Sequence, residues 1–162
     1  MSSLDQTIHQ RKLQLTDLSW SWLSAIIVLM LCITMMSLRD CIMISPNRLV
    51  LWAISSNDVN NYPEDSPKKM KELWHELGFS FPYLYDETQT VAKAYQAECT
   101  PEFYLFSAQH NLVYRGRCDS TLPKSNEEPN GADLRAAINA TINEQPVNSE
   151  QFPSMGCNIK WK

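Results

Sequence analysis

The feature that most constrains the fold is a continuous apolar run, RLVLWAI at residues 48–54, followed directly by turn-forming residues. Such a run is typical of a strand buried on both faces, as in a parallel sheet. After a loop, Ser66 and Pro67 provide an N-cap and a first helical residue, and Gly78 is a fitting helix stop. Between them, apolar side chains recur at helical spacing: Met70, Leu73, Trp74 and Leu77. These features predict half of a βαβ unit.

The residues after Gly78 predict four further elements. Residues 79–85 form a short extended piece, and Asp86 and Gln89 have the spacing of a capping box before a short helix. The apolar run 103–106 and the segment 112–117 predict two strands. Because so short a link joins them, these strands form an antiparallel hairpin.

A last helix is predicted to open at Asn130, and the tail at residues 146–162 is expected to be irregular. The complete order is strand, helix, short strand, helix, strand, strand, helix. This order predicts an α/β protein with the C-terminal half of a thioredoxin-like fold.

Residues 1–47 differ from the rest, because Trp20 to Leu38 contain no charged residue. As a helix this stretch would span about 28 Å, close to the thickness of a bilayer core. It is therefore a candidate single-pass transmembrane anchor, with a buried core helix and a cleaved signal peptide as the alternatives. The anchor implies a membrane location, whereas without it a reduced, cytoplasmic protein is expected. Residues 48–162 are the predicted globular domain.

Composition excludes several classes of function. The net charge of −4 provides no basic surface for nucleic acid, and four dispersed glycines cannot build a phosphate-binding loop. The histidines and cysteines lack metal-ligand spacing, so neither a metal nor another cofactor is expected. The carboxylates of Asp86, Glu87, Glu98 and Glu102 are interpreted as helix caps and solvated faces.

Four segments resemble one known family. They are ISSNDVNNYPEDSPKKM, GFSFPYLYDETQTVAKAYQAECTPEFYLF, LVYRGRCD and the closing GCNIKWK. Together they resemble the thioredoxin-like, peroxiredoxin-related proteins grouped with alkyl hydroperoxide reductase and thiol-specific antioxidant proteins. The match runs from about residue 49 to residue 162. The resemblance implies a thioredoxin-like fold, a thiol-dependent antioxidant oxidoreductase, and a thiol or disulfide protein or a peroxide as substrate.

A complete member of that family has a strand, a loop with a reactive cysteine and a helix before this region. The helix N-terminus stabilises the thiolate that attacks peroxide or disulfide. Residues 1–47 do not match this unit: Cys32 lies inside the apolar run, and no helix signal follows Cys41. The fold is therefore expected to be incomplete at its N-terminal βα unit, and the family's activity is not carried over.

Thr100-Pro101 resembles the family's cis-proline loop, which faces the reactive cysteine and turns the preceding backbone outward, so that it can pair with an extended thiol substrate. A cis bond is expected here. Cys99, two residues before the proline, is a candidate reactive thiol, although a buried, inert cysteine is favoured. Cys157 is a candidate resolving thiol if the tail folds back, with a packed tail residue as the alternative.

Three functional hypotheses follow. The first is a peroxiredoxin-like thiol oxidoreductase that depends on Cys99 or Cys157. The second is a non-catalytic, membrane-tethered thioredoxin-like binding module, and the third is a truncated gene product that has lost part of its core. The sequence specifies neither a redox partner nor an oligomeric state.

Overall fold

The computed structural model describes residues 24–29, 49–122 and 128–162. The strands are β1 Ser24–Leu29, β2 Leu49–Ser55, β3 Tyr83–Tyr85, β4 Cys99–Thr100, β5 Glu102–Phe106, β6 Leu112–Gly116 and β7 Cys157–Asn158. The α-helices are α1 Pro67–Glu76, α2 Thr90–Ala94 and α3 Ala132–Ile142, with a 3₁₀ turn at Pro63–Asp65 before α1. Within these residues, five strands form a sheet in the order β3-β2-β1-β5-β6, while β4 pairs with β7.

Strand β2 and helix α1 lie where the sequence pattern predicts them. Met70 of α1 is buried, and Trp74 and Leu77 pack against the same hydrophobic cluster. Helix α1 begins at Pro67, and Gly78 lies just beyond its end with a φ of +63° that suits glycine. Ser66 occupies the N-cap without a capping bond from its side chain, and its backbone oxygen accepts the first helical bond, from the Met70 N–H.

The second half of the fold also follows the predicted order. Strands β5 and β6 pair antiparallel as a hairpin, and α3 packs Leu134, Ala137 and Ile138 into the main core. The capping box before α2 is wrong. Gln89 takes the N-cap position with its side chain turned to other partners, while the carboxylate of Asp86 accepts a bond from the backbone of Ala92 at 3.0 Å.

The core has a layer on each face of the sheet because side chains of a strand alternate between faces. Leu51 and Ala53 of β2 belong to the larger cluster, with α1 and α3. Ile54 belongs to a second cluster with Ala92 of α2 and Ile159 of the tail. The tail is thus part of the fold, and the prediction that residues 146–162 are irregular is wrong at β7.

The prediction of a hydrophobic helix over 20–38 is wrong for residues 24–29. Strand β1 pairs parallel with β2 and antiparallel with β5, so it lies in the middle of the sheet. The expected loss of the first strand is therefore also wrong. The rest of 20–38, the helix of that unit and both Cys32 and Cys41 lie outside the described residues. In the part of the chain that the structure describes, no helix is long and apolar enough to cross a membrane.

Candidate functional site

The candidate site is the loop between β4 and β5, where the Thr100–Pro101 peptide bond is cis, as expected. The loop is short because β4 ends at Thr100 and β5 begins at Glu102. Proline has no N–H group and cannot continue either ladder at this position. Cys99 and Thr100 are buried on one side of it and Glu102 on the other.

The tail places Cys157 at this loop. Strand β7 pairs antiparallel with β4, with Thr100 opposite Cys157 and Cys99 opposite Asn158. The Thr100 hydroxyl also donates to the Cys157 carbonyl oxygen at 3.3 Å. Cys157 itself is exposed. The tail folds back, as a role of Cys157 as a resolving thiol requires. The alternative that Cys157 is a packed tail residue is wrong, because Cys157 is exposed.

Cys99 is buried beneath the tail. Its thiol donates to the carbonyl oxygen of Ser154 at 3.5 Å and lies 3.9 Å from that of Pro101. Burial, the largest cause, and the nearby carboxylates of Glu102 and Glu98 together raise the pKa of the Cys99 thiol to about 11. This environment agrees with the expectation of a buried, unreactive Cys99. The thiolate is the nucleophile, and a raised pKa leaves little thiolate near neutral pH.

A half-buried ion pair, which the sequence analysis missed, holds the two sides of the loop together. The Glu102 side chain is 6% exposed, and its carboxylate lies 2.8 Å from the Arg115 guanidinium of β6. The same carboxylate accepts a bond from the Glu98 backbone at 2.9 Å. The expectation that Glu102 is solvated is therefore wrong, whereas the same expectation for Glu98 is confirmed. The sequence feature that could have indicated this pair is Arg115 in β6, opposite the mainly apolar strand β5.

A second polar cluster fixes the end of the tail and was also missed. The Gln89 amide donates to the carbonyl oxygens of Ser56 and Lys160, at 2.7 and 2.8 Å. The Lys160 backbone in turn donates to the Asn57 side chain at 2.9 Å. Its carbonyl accepts from the Asp58 backbone at 2.8 Å. The buried side chains of Gln89 and Asn57, together with the backbone of Asp58, thus hold the tail at Lys160.

Within the described residues, no group of three His, Cys, Asp or Glu side chains is placed to hold a metal ion. Cys118, the remaining described cysteine, is half-buried at the edge of the main core, away from the register of β4 and β7. The described residues therefore bring an exposed thiol and a buried thiol to the loop.

No family model and no curated protein matches the chain. Two solved structures are clearly related to it. An uncharacterized conserved protein from Geobacillus kaustophilus is 42% identical with a TM-score of 0.82, over 88% of this chain and 79% of that one. A hypothetical protein from Sinorhizobium meliloti is 35% identical with a TM-score of 0.80, over 88% of this chain and 81% of that one.

More distant structures are similar in fold alone. A secreted disulfide oxidoreductase from Mycobacterium tuberculosis is 13% identical with a TM-score of 0.54, over 75% of this chain and 84% of that one. Thioredoxin-like proteins match at similar levels, so the fold is a mixed α/β, thioredoxin-like one. The chain belongs to the same family as the uncharacterized Geobacillus kaustophilus and Sinorhizobium meliloti proteins.

Proposed function

We propose that the protein carries out thiol–disulfide exchange with partner proteins, and that Cys157 is the thiol that reacts beside the Thr100–Pro101 loop. The observation that carries this proposal is the position of Cys157, which is exposed while its backbone is held in register with Thr100. A thiol on a fixed strand keeps its position relative to the loop. The fold shared with a disulfide oxidoreductase supports the same class of chemistry.

The reaction is an exchange without net oxidation. The Cys157 thiolate attacks one sulfur of a disulfide in the partner and forms a new S–S bond to it. The original S–S bond breaks, and the second partner sulfur leaves as a thiolate that takes a proton from water. A thiol of the partner or a small-molecule thiol then attacks the mixed disulfide and releases Cys157.

Cys99 is not the reacting thiol in this proposal. With a pKa of about 11, only about one Cys99 thiol in a thousand is ionised at pH 8. Its thiol is also covered by the tail, through the contact with Ser154. A disulfide approaching from solvent therefore meets Cys157 first.

The environment of Cys99 also argues against peroxide reduction at that thiol, which is the reaction that the family resemblance implies. A peroxide-reducing cysteine needs a stabilised thiolate next to positive charge or free N–H donors. Around Cys99 the carboxylates of Glu102 and Glu98 act in the opposite direction, and only Arg115 favours the thiolate. Peroxide is accordingly the comparison substrate of the test.

The test uses the full chain with oxidised glutathione in one arm and hydrogen peroxide in the other, at pH 7.5. Mass mapping of the peptides is expected to find the glutathione adduct on Cys157. Cys157→Ser is expected to lose that adduct, whereas the matched variant Cys118→Ser keeps it. An adduct on Cys99 instead, or consumption of peroxide without any adduct at Cys157, contradicts the proposal.

A second candidate function is a binding module without chemistry. Exposed apolar side chains on the tail favour it: Phe152, Met155 and Trp161. The membrane tether is not part of this candidate, because Ser24–Leu29 lie within the sheet. The module predicts a native chain whose Cys157 stays unmodified by oxidised glutathione, which is the reverse of the result expected above.

A further inference from the structure

The backbone groups of Thr100 are already in use. An antiparallel pair either exchanges two hydrogen bonds directly or is flanked by bonds from its neighbours. The second pattern for Thr100 and Cys157 needs an N–H on Pro101, which proline lacks. Thr100 and Cys157 must therefore exchange both bonds, so that the tail occupies the strand edge on which an extended partner segment would add.

Two glycines show how closely the tail fits. A Cβ atom built at Gly156 would overlap the carbonyl oxygen of Thr100, and one built at Gly116 would overlap that of Phe152. Neither glycine has a positive φ, so close backbone approach rather than turn geometry requires them. The tail backbone thus lies directly against the body at both points.

The tail is anchored on both sides of this contact. Before it, Ser154 donates to the Gly116 carbonyl oxygen at 2.6 Å, and the Phe152 carbonyl oxygen accepts from Arg117 at 3.0 Å. After it, Ile159 is buried and Lys160 is held by the polar cluster around Gln89. Residues 155–158 between the anchors are all exposed.

Exposed residues held by a short backbone ladder belong to the class of segments that open locally, at a smaller free energy than global unfolding. Opening of residues 155–158 frees the N–H and C=O groups of Thr100. It also brings solvent to Cys99, which is paired with Asn158 of this segment. The Cys99 thiol bonds to the carbonyl oxygen of Ser154, the residue directly before the segment. One local movement therefore uncovers a strand edge and a thiol together.

We propose that residues 155–158 form a strap that guards the Cys99 thiol and the Thr100 strand edge, and that both become accessible when the strap lifts. The strap builds on the proposed function, since it controls which thiol a disulfide partner meets. Its test is nevertheless run in chains without the Cys157 thiol. Failure of exchange at Cys157 therefore leaves this test intact.

The reference chain is Cys157→Ser. Two variants loosen the strap by different means: Cys157→Pro removes the N–H that bonds to Thr100, and Gly156→Ala in the Cys157→Ser chain adds the overlapping Cβ. Asn158→Ala in the Cys157→Ser chain is the matched control, because Asn158 is exposed and pairs with Cys99 through its backbone. The readout is the rate of Cys99 alkylation by iodoacetamide at pH 8.

Both loosened variants are expected to alkylate Cys99 about tenfold faster, which corresponds to ~1.4 kcal/mol of opening free energy. The control stays at the reference rate, and the Leu105 amide, deep in the core, keeps its slow hydrogen exchange. Equal Cys99 rates in all four chains overturn the proposal. Faster alkylation accompanied by faster exchange at Leu105 also overturns it, because the whole fold rather than the strap has then opened.

Discussion

Replacing Glu102 by Gln is expected to destabilise the protein by about 2 kcal/mol, because hydrogen bonds to a charged group contribute about 1.5–3 kcal/mol. Glutamine keeps the shape of the side chain and one acceptor oxygen but removes the negative charge. Two contacts depend on that charge: the 2.8 Å ion pair with Arg115 and the 2.9 Å bond from the Glu98 backbone.

The magnitude follows from the burial of the two partners. Breaking a fully buried pair costs about 3–5 kcal/mol, since one charge is left without compensation. Here Glu102 is 6% exposed but Arg115 is 31% exposed, so water solvates the arginine when its partner is neutral. Arg115 also keeps its 2.6 Å bond to the carbonyl oxygen of Gln96. The expected destabilisation is therefore the lower value of about 2 kcal/mol.

Urea unfolding measures this change as a lower midpoint with an unaltered slope. The matched control is Glu98→Gln, because Glu98 is 83% exposed and lies 4.0 Å from Arg115. An exposed pair of this kind contributes about 0.2–1 kcal/mol, so the control is expected at the lower end of that range. Equal destabilisation by the two variants would refute the structural role of the Glu102 pair.

The same variant has a second readout at Cys99. Burial is the largest cause of the raised pKa of the Cys99 thiol, and the Glu102 charge is the second largest. Glu102→Gln is therefore expected to lower that pKa. Alkylation of Cys99 measured against pH then shifts to lower pH. A profile identical to that of the wild type would show that Glu102 does not influence the thiol.

Three further predictions concern stability. Burial raises the pKa of Asp119, but backbone bonds from Gly131, Thr121 and Asn130 outweigh it, so that the folded pKa lies below its ordinary value. The stability that Asp119 contributes is present above the unfolded pKa of about 3.9 and is lost as pH falls through the lower folded pKa. Asp119→Asn should therefore make the free energy of unfolding depend less on pH in the acid range. Leu134→Ala removes a fully buried side chain and should cost about 2–5 kcal/mol in chemical unfolding. Gln89→Ala should speed trimming of the C-terminus by carboxypeptidase, because the bonds to Lys160 and Lys162 are lost; an unchanged rate would contradict that anchor.

Local patterns were sufficient for much of the fold. The apolar run of β2, the helical spacing of α1 from Pro67 and the short link of the hairpin each depend on neighbouring residues, and all are confirmed. The cis bond at Thr100–Pro101 was expected from the family resemblance rather than from spacing.

The errors share a physical cause, which is that long-range pairing decided the outcome. A long uncharged run such as residues 20–38 favours a helix, and only the pairing of β1 with β2 and β5 identifies Ser24–Leu29 as a strand. Strand β7 is two residues long and has no alternation to read. Its existence depends on Gly156 fitting against Thr100, a contact that no local pattern encodes.

The most direct test of the site is the order in which its two cysteines react in the native chain. The wild-type protein is treated with a light alkylating reagent at pH 7, then unfolded and treated with a heavy one, and the isotope ratio is read for the Cys99 and Cys157 peptides. Light label on Cys157 and heavy label on Cys99 is the expected result. Light label on Cys99 before Cys157 would contradict both the guarded thiol and the exchange at the tail.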